Sequence, residues 1–139
     1  MPLPDFLIAG VPKAGTTALH AALVAHPGLF LPTVKEPKFF LTHDRPPPTA
    51  GPGDVQTFQE HVRRQEDYEA LFDPAPPGTL LGEATPFYLY DFAAHERIKS
   101  LIPSARLILL LRDPIDRAHS NWTHLWNAGL EPEADFLAA

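Results

Sequence analysis

Residues 6–20 read Phe6-Leu-Ile-Ala-Gly10-Val-Pro-Lys13-Ala-Gly15-Thr16-Thr17-Ala-Leu-His20, and this stretch decides the fold. The apolar run 6–9 predicts a buried strand, and the segment 16–25 predicts a helix. The turn between them favours anion binding, because the first N–H groups of a helix have no intrahelical partners and carry partial positive charge. Gly15 lets the backbone come close to a ligand, and Lys13 supplies a mobile ammonium. We therefore predict a phosphate- or sulfate-binding loop.

The loop differs from the Walker A pattern in the position of its lysine. Gly10 and Gly15 match the two glycines of that pattern, but Thr16 stands at the lysine position and Lys13 lies inside the loop. An ordinary magnesium-dependent NTPase uses the missing lysine to reach the β- and γ-phosphates, so this class is disfavoured. Two alternatives stay open: a non-binding corner whose threonines cap the helix, and an atypical P-loop nucleotide kinase.

The composition of the chain limits the classes of binding partner and the cellular location that we predict. A chain of 139 residues with 45% hydrophobic residues predicts one compact domain. The net charge of −6 argues against nucleic acid or an anionic membrane as a partner, so an anion site would be a local basic pocket. The chain has no cysteine and its seven histidines lack metal-binding spacing, so we predict no metal site. Without a membrane-length apolar run or a signal-peptide pattern, we expect a cytoplasmic protein.

Strands and helices are predicted to alternate along the rest of the chain. Strands are predicted at 29–31, 79–82 and 106–112, and helical segments within 55–72, at 92–101 and from 114 to about 126. The apolar strand 106–112 is typical of the centre of a parallel sheet covered on both faces. We predict an α/β, P-loop-like three-layer fold in which helices flank a central parallel sheet. Ligands then bind at the carboxyl ends of the strands.

Two other stretches carry expectations of their own. The proline- and glycine-rich stretch 45–53 is expected to be an exposed loop. The last residues, Asp135-Phe-Leu-Ala-Ala139, contain no helix-stop signal, and we expect the chain to be truncated at its C-terminus.

A second anion-binding constellation follows the strand that ends at Arg112. Its guanidinium can bind a phosphate through two parallel hydrogen bonds, and Ser120, eight residues later, adds a hydroxyl donor. The alternative is that Arg112 pairs with Asp113 or Asp116. Both constellations together resemble the sulfotransferase family, which uses 3′-phosphoadenosine 5′-phosphosulfate (PAPS). Pro12-Lys-Ala-Gly-Thr-Thr-Ala18 resembles its 5′-phosphosulfate loop, and Arg112-Asp-Pro-Ile-Asp-Arg-Ala-His-Ser120 resembles its 3′-phosphate motif.

The resemblance implies an enzyme and a set of donor-binding residues. It implies that residues 1–139 form the N-terminal part of a bacterial, carbohydrate- or heparan-type sulfotransferase domain, which transfers a sulfuryl group from PAPS to a hydroxyl or amine without a metal. The 5′-phosphosulfate would be bound by Lys13, Ala14, Gly15, Thr16, Thr17 and Ala18, and the 3′-phosphate by Arg112 and Ser120. Lys13 would also be catalytic, by stabilising charge on the reacting oxygens.

A third segment, Lys35-Glu36-Pro37-Lys38-Phe39-Phe40, resembles the part of heparan-type sulfotransferases that carries the general base. Glu36 is therefore predicted to be the base, although a histidine serves in the cytosolic branch of the family. The alternative is a surface carboxylate paired with a neighbouring lysine. Predicted substrate contacts are Lys35, Lys38, His43 and Glu83. The two lysines could bind anions of the substrate or of the cofactor, and Glu83 could instead hold the wall of the active site. Ala84 stands where carbohydrate enzymes of this type often carry lysine, which argues against a sulfated glycan as the acceptor.

Three hypotheses follow for the whole chain. The first is a PAPS-dependent sulfotransferase with a small-molecule or carbohydrate acceptor, the second an atypical P-loop nucleotide kinase, and the third a non-catalytic remnant that binds PAP or PAPS. Family members usually continue with a loop that closes on the 3′-phosphate and adenine. We therefore expect weak donor binding unless another polypeptide completes the site, and self-association through apolar surface at the C-terminal edge.

Overall fold

The computed structural model describes residues 2–41 and 60–139. Within these ranges the strands are β1 (Phe6–Gly10), β2 (Leu29–Phe30), β3 (Leu80–Ala84) and β4 (Arg106–Leu109), and the helices are α1 (Thr16–Val24), α2 (Gln65–Ala70), α3 (Phe92–Leu101) and α4 (Pro114–Asn127). Two short 3₁₀ turns, Phe39–Leu41 and Tyr88–Tyr90, complete the set. The predicted bounds of α3 are confirmed, and Asp91 caps this helix by accepting a hydrogen bond from the Ala94 N–H at 2.9 Å.

The four strands form one parallel sheet in the order β2-β3-β1-β4. β1 pairs with β3 on one side and with β4 on the other, and all five of its residues are buried. The predicted α/β fold with a parallel sheet and flanking helices is confirmed. Because parallel strands end at the same edge, the loops that follow β1 and β4 are neighbours.

The prediction that the strand beginning at Arg106 lies at the centre of the sheet, covered on both faces, is wrong for the described residues. β4 is an edge strand there, and Leu107 and Leu109 are 54% and 45% exposed. An apolar run indicates that a strand can be buried, but it does not indicate how many other strands and helices cover that strand. β1, which is equally apolar, takes a central position because β3 and β4 both pair with it.

The core lies between the sheet and the helices on one face. It contains Leu7, Ala9, Phe40, Tyr68, Phe72, Tyr88, Ala94, Ile98 and Ile102. Gly82 has a specific reason to be glycine, since a Cβ there would lie 2.1 Å from the ring of Phe6. Of the helical prediction for 55–72, residues 55–59 lie outside the described residues, and within 60–72 it is confirmed over α2. His43 and the predicted loop 45–53 lie outside the described residues.

Candidate active site

The loops that follow β1 and β4 meet at the carboxyl edge of the sheet. The Val11 N–H donates to the Leu110 carbonyl and the Leu110 N–H donates to the Gly10 carbonyl, each at 2.8 Å. Beyond this pair, Nη1 of Arg112 donates to the backbone carbonyl of Lys13 at 2.9 Å. Two predicted anion-binding motifs, 99 positions apart in sequence, are therefore in direct contact.

The β1–α1 loop has the backbone geometry of an anion-binding turn. Gly15 occupies the N-cap position of α1 with a φ of 97°, a left-handed conformation that glycine adopts without strain. No side chain within residues 2–41 and 60–139 caps this helix end. The N–H groups of its first turn are then suited to bind an anion, as the sequence predicts. Thr16 is buried at this end, whereas Thr17 is exposed.

Lys13, Arg112 and Ser120 line one cavity of about 400 Å³. Its other lining residues are Asp116, His119, Thr123, His124 and Asn127. Ser120, Thr123, His124 and Asn127 follow the i, i+3, i+4, i+7 spacing of one helix face. The last three of these were not predicted as site residues. The helical spacing from Ser120 is the sequence signal that could have found them.

The alternative pairing of Arg112 with an adjacent aspartate is not what the structure shows. The Asp113 carboxylate caps α4 by accepting from the Ile115 and Asp116 N–H groups at 3.0 and 3.1 Å. Arg112 instead contacts the Lys13 carbonyl. The guanidinium is therefore held at the end of the phosphate loop.

The Lys35 side chain links Glu36 to the predicted anion-binding loop, residues 12–18, which we call the phosphate loop. Nζ of Lys35 donates to the Thr17 hydroxyl at 2.7 Å and forms an ion pair with Oε1 of Glu36 at 3.2 Å. The Lys35 and Glu36 side chains are 29% and 25% exposed. The Lys35–Glu36 ion pair, which is the alternative to a catalytic role for Glu36, is thus present. It contacts Thr17 of the phosphate loop and so does not lie on a remote surface. On α1, burial and the Lys35 ammonium lower the pKa of His20, and the Glu36 carboxylate acts in the opposite direction.

Two of the predicted substrate contacts, Lys38 and Glu83, are buried. Lys38 is 7% exposed, and its Nζ lies 5.5 Å from the centre of the Phe87 ring. Glu83 is 1% exposed. Both residues are therefore buried in this structure, and their contact with an acceptor stays a prediction. The sequence could not distinguish a buried from an exposed charge at a strand end.

Glu83 is the centre of a buried hydrogen-bond network. The hydroxyl groups of Tyr68 and Tyr88 donate to its Oε2 at 2.9 and 3.0 Å, and the Thr85 hydroxyl donates to its Oε1. Burial raises the pKa of Glu83 to about 7, although the three hydrogen bonds act in the opposite direction. Burial and the neighbouring Glu83 also raise the pKa of Tyr68 and of Tyr88.

The raised pKa of Glu83 predicts a pH-dependent stability. In the unfolded chain this carboxyl ionises near pH 4.5, and in the folded chain near pH 7. Between these values the unfolded state loses its proton first, so the free energy of unfolding falls as pH rises, by about 3 kcal/mol in total. Urea denaturation of the wild type and of Glu83→Gln at pH 4.5, 6 and 8 measures this change, because the variant lacks it.

The control is Glu96→Gln, which removes an exposed carboxyl from α3. Its free energy of unfolding should follow that of the wild type at all three pH values. A constant difference between wild type and Glu83→Gln across this range would contradict the raised pKa.

These observations define an α/β protein in which two predicted anion-binding motifs meet at the carboxyl ends of parallel strands. The family model described as "Sulfotransferase family" matches residues 4–138. The chain therefore belongs to the sulfotransferase family, as its two motifs predict.

Three similar proteins place the chain within that family. The human bifunctional heparan sulfate N-deacetylase/N-sulfotransferase 3 is 36% identical over 126 residues, which cover 88% of this chain and 13% of the relative. The membrane-associated sulfotransferase kil1 of Dictyostelium discoideum is 32% identical over 86% of this chain and 22% of its own length. The crystal structure of a sulfotransferase from Alicyclobacillus acidocaldarius matches with a TM-score of 0.89 and 34% identity, over 99% of this chain and 56% of that one.

The chain thus spans between about one eighth and one half of the length of these proteins. Across residues 2–41 and 60–139, no helix combines the length and apolar character needed to cross a membrane. The same ranges contain no cluster of three or more histidine, cysteine, aspartate or glutamate residues that could hold a metal ion. The cytoplasmic location and the assignment of 1–139 to one domain stay predictions.

Proposed function

We propose that this chain binds PAPS and transfers its sulfuryl group to a hydroxyl or amine of an acceptor. The observation that carries the proposal is the hydrogen bond from Arg112 to the Lys13 carbonyl, since it joins the two motifs at one cavity. In this proposal the 5′-phosphosulfate binds at the loop 13–18, and the 3′-phosphate binds to Arg112 and Ser120. Lys13 lines the same cavity as Arg112 and Ser120.

The charges around the cavity support an anionic ligand. Lys13 and Arg112 contribute two positive charges, and Asp116 contributes one negative charge. The charge around the cavity is therefore positive, whereas the whole chain has a net charge of −6. A volume of about 400 Å³ lies within the usual range of small-molecule sites. The lining thus has the basic character that a bisphosphorylated nucleotide needs.

The residues next to the loop supply the groups that the transfer requires. PAPS supplies an activated sulfuryl group. The Glu36 carboxylate accepts the proton of the acceptor as the new bond to sulfur forms. Lys13 and the N–H groups at the start of α1 stabilise negative charge on the departing phosphate and the equatorial oxygens. Lys35 holds Glu36 at this place through contacts to both Glu36 and Thr17.

The relatives suggest the chemical class of the acceptor. The human relative is a heparan sulfate N-sulfotransferase by name, which acts on a carbohydrate. We propose a carbohydrate amine or hydroxyl as the first class to test, with a small aromatic alcohol as the second. The loss of the lysine often found after Glu83, where this chain has Ala84, favours an acceptor that is not already sulfated.

Calorimetric titration with PAP, the desulfated product of the donor, tests the donor site. Replacing Arg112 with alanine is expected to weaken PAP binding by about 10- to 100-fold, because a charge-assisted pair of hydrogen bonds to the 3′-phosphate is lost. Arg106→Ala is the matched control, since Arg106 is the first residue of β4 and Arg112 follows the other end of that strand. Its affinity for PAP should equal that of the wild type.

Titration with ATP and magnesium distinguishes the other hypotheses. Stronger binding of ATP than of PAP would favour the nucleotide kinase and contradict the proposal. Binding of PAP without any release of PAP from PAPS across an acceptor panel would identify a non-catalytic remnant.

A further inference from the structure

The segment that carries Glu36 has an unusual backbone. Glu36 and Lys38 adopt φ angles of 56° and 57°, on either side of Pro37. Residues with a Cβ are uncommon in this left-handed region, and such a conformation persists where neighbouring groups hold it. The position of the Glu36 carboxylate therefore depends on the contacts that hold residues 36–38.

The end of β3 supplies those contacts. The Glu36 N–H donates to the Ala84 carbonyl at 3.1 Å, and the Lys38 N–H donates to the Thr85 hydroxyl oxygen at 3.3 Å. Both left-handed residues are thus tied to two consecutive residues of one strand end. A third bond, from the Val62 N–H to the Pro37 carbonyl at 2.9 Å, holds the residue between them.

Glu83 determines how Thr85 can act in this arrangement. A threonine hydroxyl has one proton to donate, and Thr85 donates it to the Glu83 carboxylate. Its lone pairs then remain to accept the Lys38 N–H. Tyr68 and Tyr88 hold the other carboxylate oxygen, and both Glu83 and Thr85 are at most 1% exposed. The Tyr68 ring also stacks on Phe39 with ring centres 4.3 Å apart, which ties the network to the same segment.

We propose that Glu83 and Thr85 are positioning residues for the general base. They hold Glu36 and Lys38 in the left-handed conformation that places the Glu36 carboxylate at Lys35, which contacts Thr17 of the β1–α1 region. The catalytic part of this inference rests on the proposed function, in which Glu36 accepts the acceptor proton. The geometric part, that the Thr85 hydroxyl holds this backbone, can be tested without turnover.

The test uses Thr85→Val, which keeps the shape of the side chain and removes the hydroxyl, and Thr85→Ser, which keeps the hydroxyl. Thr79→Val is the matched control, since Thr79 directly precedes β3 at its other end and bonds only locally, to the Pro76 carbonyl. Amide hydrogen exchange at Glu36 and Lys38 should become about tenfold faster in Thr85→Val, because one hydrogen bond that holds the segment is lost. Thr85→Ser and Thr79→Val should match the wild type.

The kinetic arm measures release of PAP from PAPS with glucosaminyl oligosaccharides and phenols as acceptors. Thr85→Val should lower kcat by about tenfold and leave the KM for PAPS and the Kd for PAP within about twofold, since the donor site is untouched. Thr85→Ser should restore kcat. If Thr85→Val does not fold, Glu83→Gln is measured in the same way, with the same expected split between kcat and KM.

The outcomes separate this inference from the proposed function. Unchanged exchange at Glu36 and Lys38 in a folded Thr85→Val would overturn the inference, even if the wild type is an active sulfotransferase. An equal rise of exchange at amides throughout the chain would also overturn it, because the effect would then be a general loss of stability. A wild type that neither binds PAP nor releases it from PAPS would overturn the proposed function, and the exchange measurement would still decide whether Thr85 holds the segment.

Discussion

Glu36→Gln is expected to lower kcat by about 10²- to 10⁴-fold, the usual contribution of a positioned general base. Glutamine has nearly the same shape as glutamate, but it cannot accept the proton of the acceptor. The Kd for PAP should stay within about twofold, because Glu36 does not line the cavity that Lys13 and Arg112 share. Steady-state release of PAP from PAPS in the presence of an acceptor measures the first effect, and calorimetry measures the second.

Two comparisons make this expectation specific. Glu96→Gln removes a carboxyl from the exposed side of α3 and should leave kcat unchanged. Wild-type turnover in Glu36→Gln would exclude Glu36 as the base and direct attention to His20. This histidine lies on α1, where the charges of Lys35 and Glu36 both act on it. His20→Asn would then be the decisive variant.

Lys13→Ala is expected to lower kcat by about 10²- to 10³-fold, as loss of a preorganised charge-stabilising group does in other enzymes. Lys13 lines the cavity and lies in the loop between β1 and α1, so its ammonium can follow charge onto the departing phosphate. The affinity for PAP should fall as well, because the same cation contacts the donor product. Turnover and calorimetry on one preparation measure both effects.

The control for this substitution is Lys99→Ala, which removes an exposed lysine from the last turn of α3. It should leave turnover and PAP binding at the wild-type values. An Lys13→Ala variant that loses PAP affinity but keeps its kcat would show that Lys13 binds the donor without stabilising the transition state. That result would contradict the catalytic role and keep the binding role.

Most of the elements of the fold can be predicted from local patterns in the sequence. The apolar run from Phe6, the glycine at position 15 and the apolar spacing within 92–101 determine a strand, a turn and a helix over a few residues each. Signals of this kind depend on backbone sterics and hydrogen-bonding groups that lie close together in the chain. For the same reason the phosphate loop, the arginine–serine motif and the Glu36 segment can each be recognised from the order of their residues alone.

Contacts between residues that lie far apart in the sequence could not be predicted from local patterns. The contact between Arg112 and Lys13 depends on the parallel register of β4 beside β1. Lys35, which pairs with Glu36, reaches the Thr17 hydroxyl from 18 positions further along the chain. β4 was expected at the centre of the sheet and lies at its edge among the described residues.

The sequence by itself thus determined the family of this protein, its α/β class and the motifs that are proposed to bind a sulfate- or phosphate-bearing ligand. The tertiary structure alone decided which of those residues share one cavity, which helix face joins them, and that Glu83 and Lys38 are buried. The physical reason is that burial and electrostatic environment are properties of the surroundings. Burial, which only folding produces, raises the pKa of Glu83, and folding also brings the Tyr68 hydroxyl within hydrogen-bond distance of this carboxyl.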